Sequence, residues 1–429
     1  MKRLLVALFV FGFAACVQAG PRIQHWTAPS GARVYFVETH DLPILDVEAD
    51  FSAGSAYDPA GKAGLAAMTQ QLLDAGAGDL DEEQISDRLV DTGAKLSGST
   101  DSDRAGITLR TLSSAKEKTA ALELLRLMLA KPTFPDAVLA REKTRTMAAI
   151  RDADTRPEAI ADKRFTAALY PGHPYGVVAT ADSVGSLSRD DLVAFQRDCY
   201  SAHRAVISII GDVDRAEAER IAQALTEDLP AGTPEVPLPP VKLPAAETIR
   251  IAHPATQSHI LIGLPAVARG DPDYFPLLIG DYTLGGGGFV SRLMQEVREK
   301  RGYAYNVYSY FMPRKLAGPF QIGLQTKRDQ AQAALKVADD VLAEFLKTGP
   351  TEAELAAAKK HYVDSLPLRI DSNAKMLGYL STIGFYGLPL DYLDRFPARV
   401  NAVTAKAVRE AFARHVKPEN LVTVIVATD

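Results

Sequence analysis

The sequence predicts an α+β protein of two homologous α/β halves, each a mixed sheet with its helices packed mainly on one face. Three observations carry that prediction. A chain of 429 residues exceeds one ordinary core and suits two domains of roughly 200 residues. Five prolines (Pro234, Pro237, Pro239, Pro240 and Pro244) crowd its middle, forbidding a helix there and favouring an extended connector. On either side of them, apolar patterns of period 2 and period 3.6 follow one another in similar order, and matched landmarks recur at offsets of 209, 213 and 218 residues.

Taken in order, the chain opens with Lys2, Arg3 and an apolar stretch over 4–15, too short to cross a bilayer core of about 30 Å as a helix. Val17-Gln18-Ala19 then offers a cleavage site, which predicts a signal peptide over 1–19 and an exported, periplasmic protein. The rival reading is Phe13-Ala14-Ala15-Cys16 as an imperfect lipoprotein box lacking its leading Leu, with the chain lipid-anchored through Cys16. No later segment reaches 18 uninterrupted apolar residues, so no transmembrane segment is expected.

An N-terminal domain is expected over 20–233, a proline-rich linker over 234–244 and a C-terminal domain over 245–429. In the first domain strands are expected at 32–37, 45–53, 105–112 and 204–211. Helices are expected at 63–76, 82–92, 115–129, 136–152, 157–168 and 188–198. In the second, the alternating run 259–264 answers 32–37, Ala333-Ala334-Leu335 answers Ala120-Ala121-Leu122, and Pro350-Thr351 answers Pro132-Thr133. Gly302 answers Gly93, each closing a helix. The β-branched run 421–426 suits a buried strand.

Charged residues at 24%, hydrophobic residues at 47% and a net charge of −5 are ordinary for a globular protein. They offer no basic face for a nucleic acid. After cleavage Cys199 stands alone, so no internal disulfide forms and a buried structural thiol is expected.

Three motifs are specific. Tyr170-Pro171-Gly172-His173-Pro174-Tyr175-Gly176 and the run from Cys199-Tyr200 to Gly211-Asp212-Val213-Asp214 lie in the first domain. Leu284-Gly285-Gly286-Gly287-Gly288-Phe289-Val290-Ser291-Arg292-Leu293, followed by Gln295-Glu296-Val297-Arg298-Glu299-Lys300-Arg301-Gly302-Tyr303-Ala304-Tyr305, lies in the second. Together they resemble the pitrilysin/insulinase family of zinc peptidases over nearly the whole mature chain. The resemblance implies a clam-shell half: two homologous domains per chain, four of them enclosing a chamber where peptides are cut.

It also implies where a zinc motif, His-x-x-Glu-His after a Gly-Leu pair, would lie. Here the helix reads Gly64-Leu65-Ala66-Ala67-Met68-Thr69-Gln70-Gln71. Positions 67, 70 and 71 share one helix face, a spacing that suits two imidazoles on a metal with a carboxylate beside it. Yet Ala67 has no donor atom, Gln70 cannot take a proton from water, and Gln71 is a neutral amide and a poor zinc ligand. A third ligand, a glutamate, is expected near 148, where the chain has Ala148 and Ala149. All four metal-site roles therefore read as empty. No metal is expected in this chain, and zinc is expected in a partner.

Nothing replaces the motif. The histidines at 25, 40, 173, 203, 253, 259, 361 and 415 include no pair four apart, and His253 and His259 on one strand would stand about 20 Å from each other. His173 reads as a turn residue, and Glu82-Glu83 and Asp101/Asp103 as solvated charges. No Gly-x-Ser-x-Gly elbow or convincing Cys/His pair points to nucleophilic catalysis. The glycine run Gly285, Gly286, Gly287, Gly288 lacks the Lys-Ser/Thr of a phosphate loop and suits close backbone approach or a hinge. Ser291 reads as the N-cap of the next helix.

Arg298 and Tyr305 remain. By composition alone, Arg298 is a cation suited to a helix C-terminus and Tyr305 a member of an aromatic strand. The resemblance implies more: a substrate-binding pair, two strong donors that hold a peptide carbonyl and its developing charge. The expectation is a chain that is no enzyme on its own. It would be the non-catalytic subunit of a periplasmic zinc metallopeptidase heterodimer, binding peptide substrate beside the zinc site of a homologous partner subunit. The alternative is a stand-alone peptide-binding or scaffold protein.

Overall fold

The computed structural model describes residues 22–428; the signal-peptide reading and Cys16 lie outside the described residues. The N-terminal half begins with a hairpin of β1 (Gln24–Thr27) and β2 (Arg33–Glu38), then β3 (Ile44–Phe51), α1 (Leu65–Gln71) and the short pair β4 (Gly76–Ala77) and β5 (Leu80–Asp81). Next come α2 (Glu82–Thr92), β6 (Lys95–Thr100) and β7 (Ala105–Leu112). Helices α3 (Ala115–Ala130), α4 (Asp136–Ala153), α5 (Pro157–Leu169), α6 (Ala181–Gly185) and α7 (Arg189–Cys199) lead to β8 (Ala205–Gly211) and α8 (Arg215–Thr226).

Local chemistry sets these limits. The α2 helix starts on a capping box of Asp81 with Gln84 and stops where Gly93 turns left-handed at φ 63°. Along β3, Leu45, Val47, Ala49 and Phe51 join the helix-covered core, which turns Asp46, Glu48 and Asp50 to the opposite face.

In the C-terminal half, β9 (Glu247–Ala252) and β10 (Gln257–Val267) precede α9 (Tyr274–Asp281), β11 (Ala304–Phe311) and β12 (Gly318–Lys327). Five helices follow: α10 (Ala331–Thr348), α11 (Glu352–Arg369), α12 (Asn373–Tyr386), α13 (Tyr392–Ala402) and α14 (Ala405–His415). β13 (Val422–Thr428) closes the second sheet.

The strand orders are β1-β2-β8-β3-β7-β6 and β11-β12-β10-β13-β9. Read from opposite ends, they superpose once β1 is set aside. The β2/β8 and β13/β9 pairs are parallel, and the remaining neighbours are antiparallel. The duplication is real, but the strand match read from sequence is shifted by one. The counterpart of β2 is β9 and that of β3 is β10, so 259–264 does not answer 32–37. The reason is physical: β1 covers β2 and buries it, whereas β9 is an outer strand exposed at alternate positions. It therefore lacks the apolar run by which β2 is recognised.

Helices cover mainly one face of each sheet, and the opposite face carries a helix from the other half. The α12 helix lies on β8, β3 and β2, while α5 lies on β13 and β10. Ala161, Phe165 and Leu169 of α5 pack with Leu261, Val422, Val424 and Val426. On α12, Gly384 approaches β2 so closely that a Cβ there would stand 2.6 Å from the Tyr35 ring.

Polar contacts tie the same junction. Arg104 and Ser381 both bond the buried Asp50. Asp103 is also buried, which corrects its reading as a solvated charge: it accepts from the Tyr175 and Tyr386 hydroxyls and the Lys315 N–H. The linker over 234–244 has no regular structure and is strapped down, with the Pro239 carbonyl 2.8 Å from His173 Nε2. His173 is thus a structural residue, and Cys199 is buried with its thiol pushed up to about 11 by burial.

Candidate functional site

Asp58 builds the start of α1 by accepting the N–H groups of Gly64 and Ala66, each at 2.7 Å. Its buried carboxyl is raised to about 6 by desolvation. From this start Ala67, Gln70 and Gln71 fall on the exposed side of the helix, as their spacing predicts. Gln70 lies over β6 at Gly98, where a Cβ would stand 1.7 Å from the Gln70 amide nitrogen.

Gln71 donates from Nε2 to Oε2 of Glu142 at 2.9 Å. Glu142 is a buried carboxylate on α4 that the sequence reading missed. Arg141 bonds its other oxygen at 2.8 Å and Arg145 stands 3.8 Å away. Ala148 and Ala149 follow on the same helix, both exposed, and neither carries a donor atom.

These residues do not fit a zinc ion. Ala67 contributes no donor, Gln71 spends its amide hydrogens on Glu142, and two arginines already neutralise that carboxylate. Among the described residues, Asp271, Asp273 and His415 are the one group of three acid or imidazole side chains close enough to share an ion. Arg414 forks onto both oxygens of Asp273 at 2.8 Å and His415 Nε2 lies 3.0 Å from it, so both oxygens of Asp273 are already engaged within the protein.

The second set of residues lies at the edge of the C-terminal sheet. After α9 the chain widens into a π-helical turn, Tyr282–Gly286, then a 3-10 turn, Gly288–Val290, then a second π-helical segment, Met294–Glu299. Such widened turns recur at functional sites. Close approach explains the glycines: a Cβ at Gly285 would meet the Ser309 backbone nitrogen at 2.4 Å, and one at Gly286 would meet Asp281 Oδ2 at 2.5 Å. Asp281 beneath them is fully buried, bonded by Ser309 at 2.6 Å and pushed up to about 7 by desolvation. Ser291 stands at the expected N-cap, extended and accepting the Gln295 N–H on its carbonyl, but its hydroxyl turns back to the Gly288 carbonyl at 2.7 Å instead of capping the helix. Gly302 ends the segment at φ 64°.

Arg298 and Tyr305 are brought together. The Arg298 guanidinium stands 4.8 Å from the Phe289 ring centroid and 4.9 Å from that of Tyr305, sandwiched by two rings. Register explains the reach of Tyr305. Ala304 pairs with Thr326 and Val307 with Leu324, so Tyr305 and Asn306 together oppose Gln325. That bulge aims Tyr305 outward, leaving it 85% exposed. A cavity of about 460 Å³ opens beside the pair, lined also by Gln257, Gln325, Thr326 and Lys327.

The structure does not bring this pair to the α1 face: α1 packs on β6 and β7 of the first sheet, and β11 is the outer strand of the second. Phe289 and Lys327 were missed from sequence. The glycine run pointed at Phe289 by adjacency, and nothing local pointed at Lys327.

Comparison with known proteins gives a consistent picture. Residues 34–180 match the family described as Insulinase (Peptidase family M16), and residues 186–362 match the Peptidase M16 inactive domain. The chain is 24% identical to the non-peptidase homolog YmxG of Helicobacter pylori, over 100% of this chain and 99% of that protein. It is 23% identical to the uncharacterized zinc protease YmxG of Bacillus subtilis, over 82% and 86% of the respective chains. The crystal structure of a peptidase M16 inactive domain from Pseudomonas fluorescens superposes with a TM-score of 0.91 at 36% identity, over 95% of this chain and 98% of that one.

Proposed function

Since the chain belongs to the insulinase (M16) peptidase family while its zinc-motif positions hold Ala67, Gln70 and Gln71, we propose that it is the peptide-binding, non-catalytic subunit of a zinc-peptidase heterodimer. A homologous partner subunit would supply the zinc ion and the glutamate that activates its water. This chain would supply Arg298 and Tyr305. The carrying observation is the contrast between the two faces. The α1 face is closed by the Gln71–Glu142 contact, whereas the Arg298/Tyr305 pair is assembled at an open edge beside a cavity.

Guanidinium and phenol donate to a peptide carbonyl and to the charge that grows on it during cleavage. No helix among the described residues is long and apolar enough to cross a membrane, and the N-terminal leader read over 1–19 supports a periplasmic site of action.

The test is co-purification of the exported chain with a zinc-motif homologue, followed by peptide turnover. Arg298→Gln and Tyr305→Phe should each lower turnover by about 100- to 1,000-fold while the complex still forms, the range for removing one donor to developing charge. Full turnover in both variants defeats the assignment of this pair. Saturable peptide binding with no zinc-bearing partner in the native complex would favour the stand-alone scaffold.

A further inference from the structure

Resting on the peptide-binding reading above, in which Arg298 holds a peptide carbonyl, we infer that the cavity beside it also receives the group that carbonyl becomes on hydrolysis, the free C-terminal carboxylate of an extended peptide. The charge lining it points to an anion. Arg298 and Lys327 face Glu299 there, two cations against one acid. Glu299 reaches only Nε of Arg298, at 3.5 Å. The terminal guanidinium nitrogens make no hydrogen bond among the described residues, and Lys327 makes no ion pair among them. Compare Arg292 six residues earlier, whose fork is filled by Glu354 at 2.8 and 2.7 Å.

The rings of Phe289 and Tyr305 hold the Arg298 side chain by its faces, leaving the hydrogen-bonding edge as the group presented to a ligand. That edge is a planar fork whose geometry matches a carboxylate. The side-chain amides of Gln257, Gln325 and Gln330 supply further donors, and a volume of about 460 Å³ lies within the ~300–1,000 Å³ typical of small-ligand sites.

Strand direction selects the terminus. β11 is the outer strand of its sheet, with an edge free to pair with a further chain. A peptide added antiparallel to it runs from Phe311 towards Ala304 and so presents its C-terminal end at Tyr305 and Arg298. There the bulge at Tyr305 and Asn306 interrupts regular pairing, and the chain ahead turns away at Gly302.

Fluorescence anisotropy on the mature chain tests this with three N-terminally fluorescein-labelled Ala/Ser peptides: one with a free C-terminus, its C-terminal amide, and the amide with Glu as last residue. The free acid should bind at least about tenfold more tightly than the plain amide, the scale of a charge-assisted fork. Lys327→Gln, an exposed substitution, should shrink that ratio. Equal affinity for acid and plain amide overturns the inference; if Arg298→Gln then weakens both alike, the peptide-binding reading survives it. The Glu-terminated amide binding as tightly as the free acid overturns the assignment to the main-chain terminus. No binding of any of the three overturns the inference and the peptide-binding reading together.

Discussion

At the scale of single residues, the molecule differs from a metal enzyme by very few atoms. Where two imidazoles would converge, Ala67 offers a methyl group and Gln71 turns its amide to Glu142. That bond should contribute measurably, because Glu142 is only 5% exposed and a buried charge needs its partners. Gln71→Leu is expected to lower stability by about 1 kcal/mol, read as a lower urea midpoint with unchanged slope; an unmoved midpoint would mean that the amide is a bystander. Ala67, Gln70 and Gln71 were legible in the sequence because helix geometry relates positions three and four apart. Glu142 was not, since its contact with Gln71 spans 71 residues. Phe289 was not either, since its stacking on Arg298 depends on how the glycine run folds.

At the scale of elements, α2, α3, α4, α5 and α7 were legible nearly to their ends, because caps such as Asp81 and Gly93 are written locally. By contrast, α1 stops five residues short of its expected end, and α6, α8, α9 and α12 to α14 were not placed. The buried strands β2, β3, β7, β8, β10 and β13 were legible for their apolar runs, but β12, broken by Gly318, Pro319, Gln321 and Gly323, was not. The outer strands β6 and β9 were not, being exposed along their length, and this shifted the match between the halves. The exchange of α5 and α12 had no sequence signature either, since periodicity marks a buried face without naming what buries it.

The α12 helix offers a sharp test, because it holds two glycines in different surroundings. A Cβ at Gly378 meets nothing within 4 Å, whereas one at Gly384 would stand 2.6 Å from the Tyr35 ring. Gly378→Ala should raise stability by up to about 1 kcal/mol through helix propensity. Gly384→Ala should lower it by about 1–3 kcal/mol despite the same gain, because the core must shift. Thermal melts moving in the same direction for both would contradict the packing described for α12.

At the scale of the whole molecule, buried carboxyls link stability to pH, and Glu48 and Asp281 are raised further than Asp58. Burial raises Glu48 to about 7, aided by the nearby Asp50 charge and opposed by Arg104. Asp281, whose one side-chain hydrogen bond among the described residues is to Ser309, is also raised to about 7 by burial. Unfolded, these groups would release their protons near 4.5 and 3.8. Between those values and about pH 7 the folded chain binds more protons than the unfolded one. The stability these two groups contribute is therefore fully present below about pH 4 and is lost as the pH rises to about 7. The slope has an upper bound of about 1.4 kcal/mol per pH unit for each group. Asp281→Asn should flatten the profile in this window, measured by denaturant titration at stepped pH, and an unchanged slope would exclude Asp281 as a contributor.

The crossed placement of α5 and α12 bears on how a peptide could ever get in. Each half keeps a piece of the other's hydrophobic lining, so prising them apart would lay bare Phe165 on one side and Tyr35 on the other. Those two helices therefore lock the halves of a single chain together. In the heterodimer proposed above, a doorway for a polypeptide would form at the seam between the two molecules, where no shared helix has to be torn out first.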